Sequence, residues 1–197
     1  MITEDKLKKS LCNLPTRKFG EFVEIVTGKL NSLQKSKDNS YDRTHKDKKI
    51  EIKGSRVFYK NENLNEENIL EVLSKDNTLT LIADDLKSKN IWDCNIQQIK
   101  TDFFDVLHYS LFFENKIYFF QITGDKIKSD KSIGYSNKQH RGNTGEGQFH
   151  INSKNIDYHI HNYYYKSMTY KDIINLLQNK KINVSKKPEV SILPIWK

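Results

Sequence analysis

FFDVLHYSLFFENKIYFFQIT, residues 103–123, carries the densest β signal in the chain. Two runs, FFDVLHYSLFF and KIYFFQIT, flank Glu114-Asn115. Both are rich in aromatic and β-branched residues, which pack well on a pleated surface, so they predict two buried strands. His108 and Tyr109 fall inside the first of them and read as core residues.

Upstream, residues 3–12 have the pattern of a short amphipathic helix, and Pro15-Thr16 opens a longer one. There Phe19, Val23, Val26 and Leu30 recur at helical spacing, with Phe22, Ile25 and Leu33 widening the stripe. QKSKDNS (34–40) is a polar loop. YDRTH and KKIEIKGSRVF then read as a hairpin around Lys46-Asp47-Lys48. A helix is predicted over 65–75, with Asn65 as N-cap and Glu66 and Glu67 in its first turn. TLTLIA at 78–83 has strand character. Downstream of the buried pair, residues 124–155 are polar and show little periodicity, which suggests a long functional loop. A strand near 156–164 and a helix at 169–178 complete the pattern. The expected architecture is a single α/β domain over 1–197, with a mixed central β-sheet flanked by helices.

Composition narrows the partners. The net charge of +8 favours a polyanion, because Lys and Arg displace counterions from phosphates. Heavy Lys and Asn usage, as in LLQNKKINVSKK, produces the same surplus with no nucleic-acid role, so charge alone leaves the partner open. Cys12 and Cys94 stand far apart and outside any CxxC pattern, which argues for a reduced setting and against a zinc site built on cysteines. MITEDKLKKSLCNL has no secretory apolar core, and no apolar run approaches the ~20 residues that span a bilayer. A soluble, cytoplasmic protein with no membrane partner is expected.

Chemistry concentrates in IEIKGSR, residues 50–56. Side chains alternate along a strand, so Ile50 and Ile52 share one face while Glu51 and Lys53 share the other. A two-residue turn at Asp47-Lys48 would set Asp42 opposite Lys53 and Thr44 opposite Glu51, all on one face. Two carboxylates suit Mg²⁺, a hard cation that takes oxygen ligands and keeps several waters. Such a metal lowers the pKa of a bound water and neutralises charge on a phosphate. A neighbouring lysine can orient the attacking water. The same residues on an ordinary exposed hairpin would be no more than cross-strand ion pairs.

The stretch Phe19–Arg56 resembles the PD-(D/E)XK nuclease superfamily, and type II restriction endonucleases in particular. The matching residues are Asp42, then Glu51 and Lys53 as the E-x-K, with a helix before the hairpin. Gly20-Glu21-Phe22-Val23-Glu24 matches a Gly-x-x-x-Glu pattern in that helix and implies Glu24 as a third metal ligand, with Glu21 as the weaker choice. Tyr41, and not Pro, precedes Asp42. The resemblance implies a restriction-endonuclease-like fold and Mg²⁺-dependent hydrolysis of double-stranded DNA at a short specific site, leaving 5′-phosphate ends. It further implies a homodimer and a cognate DNA methyltransferase as functional partner.

GYSNKQHRGNTGEGQFHINSK (134–154) is the second informative segment. Asn137, Gln139, Asn143, Gln148 and Asn152 carry amides that pair with adenine, and Arg141 can pair with guanine. Lys138, His140 and His150 add contacts, and Ser55 and Arg56 follow directly on the E-x-K. These residues form the expected DNA-reading set, against the plainer reading of a polar surface loop. His140, Asn143 and His150 also permit an HNH nuclease. A non-catalytic nucleic-acid-binding protein and a repair or junction nuclease of the same fold are the remaining alternatives.

Overall fold

The computed structural model of the chain describes residues 2–60, 65–74, 82–138 and 144–182. At its centre the buried pair forms as expected. β6 (Val106–Phe112) and β7 (Ile117–Thr123) run antiparallel, in register from Val106↔Thr123 to Phe112↔Ile117. The chain reverses over Glu114-Asn115, where the Phe113 N–H donates to the Lys116 carbonyl at 3.0 Å. Every residue of β6 is buried. The strand is covered on both faces and flanked on both edges, which is why its sequence is apolar without alternation.

β3 (Lys48–Arg56) pairs with β6 in parallel, from Ile50↔Val106 to Arg56↔Phe112. β1 (Gln34–Lys35), β2 (Arg43–His45) and β10 (Tyr164–Met168) complete a sheet of order β1-β2-β3-β6-β7-β10, antiparallel at every other junction. A parallel neighbour requires a long crossover. Here that path passes through β4 (Phe58–Tyr59), α3 (Ile69–Ser74) and β5 (Trp92–Ile99).

Helices α1 (Glu4–Asn13), α2 (Thr16–Leu30) and α6 (Tyr170–Leu177) cover one face of this sheet. Leu7, Leu11, Phe19, Val23, Val26 and Ile173 pack there on Ile50, Ile52, Phe112 and Phe119. A capping box at Thr169 and Asp172 starts α6. The other face meets a second, antiparallel sheet of order β4-β5-β9-β8, with β8 at Ser136–Lys138 and β9 at Thr144–Asn152. Trp92, Ile96, Phe149 and Ile151 share a core with Tyr109, Leu111 and Phe120. Each such large apolar side chain contributes about 1.5–3 kcal/mol on burial. The protein is therefore mixed α/β, with a mixed central sheet, three helices on one face and a second sheet, joined by residues of two short helices at 124–129 and 156–162, on the other.

Several local expectations need correction. Residues 124–155 are not one long loop: α4 (Gly124–Ser129), a 3-10 turn at Lys131–Ile133, β8 and β9 occupy most of the segment. β9 buries Gly147, Gln148, Phe149 and Ile151 and exposes His150, and its Gly and Gln residues broke the apolar alternation that marks a strand. The segment near 156–164 is not a strand but α5 (Ile156–Asn162), followed by β10. Two histidines and an aromatic within α5 hid its helical stripe. β5 lay unassigned within 84–100. The helix expected from Asn65 begins only at Ile69: Asn65 is not its N-cap and Glu66 and Glu67 are not in its first turn, because Asn65 Oδ1 accepts from the Asn68 N–H at 2.9 Å and closes a separate turn over 65–68. Of the strand expected at 78–83, residues 78–81 lie outside the described residues; Ile82 bridges Phe58. Among the described residues no helix is long and apolar enough to cross a membrane.

Candidate active site

The β2–β3 hairpin turns at Lys46-Asp47, one residue earlier than expected, with Lys46 in the left-handed region at φ 49°. The pairs are Arg43↔Ile50, Thr44↔Lys49 and His45↔Lys48, not Thr44↔Glu51. This register slides β2 by two residues relative to β3, so the face of each side chain is kept. Asp42 now lies level with Glu51 rather than Lys53.

β2 ends at Arg43, so β3 loses its strand partner on that edge from Ile52 onward. Asp42 replaces the missing strand. Its Oδ2 accepts from the Ile52 N–H at 2.7 Å, while its own N–H donates to the Ile50 carbonyl at 3.1 Å. Ile50 and Ile52 point into the helix-side core, and Glu51 and Lys53 take the opposite face. Lys53 Nζ lies 2.5 Å from Glu51 Oε1, and the two side chains are only 24% and 12% exposed.

Helix α2 is fixed on the same strand by Gly54. A Cβ there would come within 2.7 and 2.9 Å of the two Val23 methyl groups. The absence of that Cβ lets α2 approach the open edge of β3, and with it Glu24, the residue after Val23.

The charges of these groups act on one another. Burial pushes the Glu51 carboxyl up to about 6, with further upward pressure from Asp42 and Glu24 and partial relief from Lys53. Burial also raises Asp42, against the Ile52 hydrogen bond, Lys53 and Arg43. Glu24 is raised by burial and by Asp42, and lowered by Arg43 and Lys53. Three carboxylates, the Lys53 ammonium and the Arg43 guanidinium thus share a partly desolvated edge on which acids outnumber cations by one. Among the described residues, however, no three His, Cys, Asp or Glu side chains converge as a ready metal cage.

Arg43 was missed by sequence reasoning. It sits under Gly28 of α2, where a Cβ would lie 3.1 Å from its Nε, and that buried Nε has no hydrogen-bond partner. Its one sequence signal is adjacency to Asp42. Glu21 is instead an exposed partner of Lys18, at 2.7 Å on the helix surface.

Those of the expected DNA-reading residues that the structure describes are dispersed. Asn137 and Lys138 are exposed on β8. Gln139, His140, Arg141 and Asn143 lie outside the described residues. Gln148 is buried in the second sheet; its Oε1 accepts from Asn95 Nδ2 at 2.7 Å, and its Nε2 donates to the Lys138 carbonyl at 3.4 Å. Asn152 Oδ1 accepts from the Lys154 and Asn155 N–H groups and so closes a turn. His150 is exposed on β9. Ser55 Oγ donates to the Arg56 carbonyl at 3.2 Å. Arg56 is spent on the C-terminal end of α1: its Nη1 donates to the carbonyls of Leu11, Cys12 and Leu14, and its guanidinium sits 4.8 Å from the Phe19 ring centre. No protein-family model, curated protein or solved structure matches the chain.

Proposed function

We propose that the protein is a Mg²⁺-dependent endonuclease that hydrolyses phosphodiester bonds of double-stranded DNA, of the restriction-endonuclease type. One observation carries this reading: Asp42, Glu24 and the close Glu51–Lys53 pair share the edge of β3 that β2 leaves open. The mixed sheet with α2 packed on the strand bearing the E-x-K supports a restriction-endonuclease-like fold. The net charge of +8 supports a nucleic-acid substrate.

The donor set fits the metal. Hard carboxylate oxygens suit Mg²⁺, which commonly takes only one or two protein carboxylates and fills the rest of its octahedron with water. That habit agrees with the lack of a preformed three-residue cage. Asp42 and Glu51 would hold the ion, with Glu24 reaching it through the same edge. Once bound, Mg²⁺ would supply charge neutralisation at the phosphate and a more acidic water.

The protein's own groups do the rest. Asp42 is oriented by the Ile52 N–H, which fixes one oxygen and leaves the other available. Lys53 is held beside Glu51 and keeps a compact positive charge where a phosphate would enter. Its ammonium donates hydrogen bonds and can align a water for attack. Glu51 is the group whose charge costs most here, so a cation would hold it ionised at neutral pH.

Plasmid DNA incubated with Mg²⁺, with and without chelator, tests the reading. Discrete fragments support a site-specific homodimer that works alongside a cognate DNA methyltransferase. Nicking or junction cutting would shift the assignment to repair. A gel shift without cleavage would sink the enzyme and leave a binding protein.

A further inference from the structure

On the helix side of the central sheet, opposite the Glu51–Lys53 face, α2 ends at Leu30 and leaves part of the sheet uncovered. A cleft of about 420 Å³ lies there, within the range of small-ligand sites. His45, Lys46, Lys48, His108, Asn31 and Gln121 supply its polar lining, and among the described residues none that lines it is acidic. The topology assembles them: His45 and Lys48 are paired across the hairpin, and His108 and Gln121 are paired across β6 and β7.

A hydrogen-bond chain runs from Asn31 through Tyr165 to His108. Both N–H bonds of the Asn31 amide are used, one to the Thr27 carbonyl at 2.9 Å and one to the Tyr165 hydroxyl oxygen at 3.0 Å. Tyr165 accepts from Asn31, and its own O–H is then able to donate to His108 Nδ1, 3.1 Å away. A neutral imidazole that accepts at Nδ1 must carry its proton on Nε2. His108 is only 5% exposed, and burial, with His45 nearby, lowers it to about 4, so the ring is neutral at physiological pH. His108 lines the cleft, where an Nε2–H would face the ligand.

Two lysines, two histidines that can donate N–H and the Gln121 amide, with no carboxylate among these groups, match the recognition of a phosphate group. We propose that this cleft is a phosphate-binding site, separate from the Glu51–Lys53 edge. It takes a tetrahedral dianion against Lys46 and Lys48, with the His108 Nε2–H directed at one oxygen.

The test is calorimetric titration of the full chain with inorganic phosphate at low salt, with the His108 and His45 imidazole resonances followed by NMR. Saturable binding that shifts the His108 signals is expected. The Lys46→Gln, Lys48→Gln double variant lies at an exposed turn and should fold; it should weaken phosphate binding roughly tenfold or more. Tyr165→Phe keeps the ring and removes the hydrogen bond to His108, so it should also weaken phosphate binding. No saturable binding, or binding unchanged in both variants, would overturn the site. A second arm identifies the source of the phosphate. If the double variant lowers the salt slope of duplex DNA binding by about one to two, the cleft holds a backbone phosphate. If phosphate binding is lost while the DNA slope is unchanged, it holds a free phosphate. The phosphate titration is independent of cleavage, so it stands or falls apart from the nuclease reading.

Discussion

Lys53 Nζ lies 2.5 Å from Glu51 Oε1, on the one face of β3 that does not enter the helix-side core. Residues two apart in a strand share a face, so sequence spacing alone brings these side chains together. Their effect on Asp42 and Glu24 depends on how β2 stops and how α2 lies against Gly54. The same edge generates the expectations below.

Asp42→Asn is the cleanest test of the metal role. The amide oxygen can still accept from the Ile52 N–H, so the fold should hold. The lost charge should abolish Mg²⁺-dependent cleavage while DNA binding persists in Ca²⁺. Asp42→Ala should also be inactive and somewhat less stable, because it strands that N–H. Normal cleavage by Asp42→Asn would remove Asp42 from the metal.

Lys53→Ala should lower turnover by several orders of magnitude with little change in DNA binding. Lys53→Arg should also fail, since a planar fork cannot replace a compact ammonium beside a carboxylate and a water. Single-turnover rates decide this, and full activity of the Arg variant would reduce Lys53 to a spectator.

Glu51 predicts a pH signature of stability. Its folded value, about 6, lies above the ordinary 4.5, so the native state holds its proton more tightly than the unfolded chain. That contribution is complete below about 4.5 and is lost as pH rises through about 6. A shift of this size corresponds to about 2 kcal/mol. Glu51→Gln should therefore flatten the fall in stability across this window, as read by urea unfolding at successive pH values. It should also abolish any rise in melting temperature on adding Mg²⁺, since a cation must displace the Glu51 proton. An unchanged pH slope would show that Glu51 is not the strained group.

Gly54→Ala would force a methyl against Val23, at distances that real Cβ contacts do not show. Overpacking of this kind costs about 1–3 kcal/mol. Because the displaced helix carries Glu24, cleavage should fall beyond what the stability loss explains. Wild-type stability in the variant would mean that α2 is free to shift.

Gln148→Ala separates structure from base reading. The side chain is buried between Asn95 and the Lys138 carbonyl, so its loss should cost about 1–3 kcal/mol by leaving buried partners unpaired. Binding to cognate and singly mismatched duplexes should change equally. A loss confined to one base position would return Gln148 to the reading set.

Sequence alone determined the parts that rest on local periodicity. The central hairpin was legible because a strand buried on both faces must be apolar throughout, and α2 because Phe19, Val23 and Val26 recur each turn. The Glu51–Lys53 face was legible because alternation is a property of the backbone. Tertiary structure decided the rest. The hairpin register depended on a turn that places Lys46 at positive φ, which no Gly or Asn announces. The second sheet was hidden because β5 and β9 gain their burial from each other and from β6 and β7, far away in sequence. The duties of Arg56 and Gln148 were likewise invisible, since a polar side chain looks available for a ligand until the fold supplies the carbonyl or amide that occupies it.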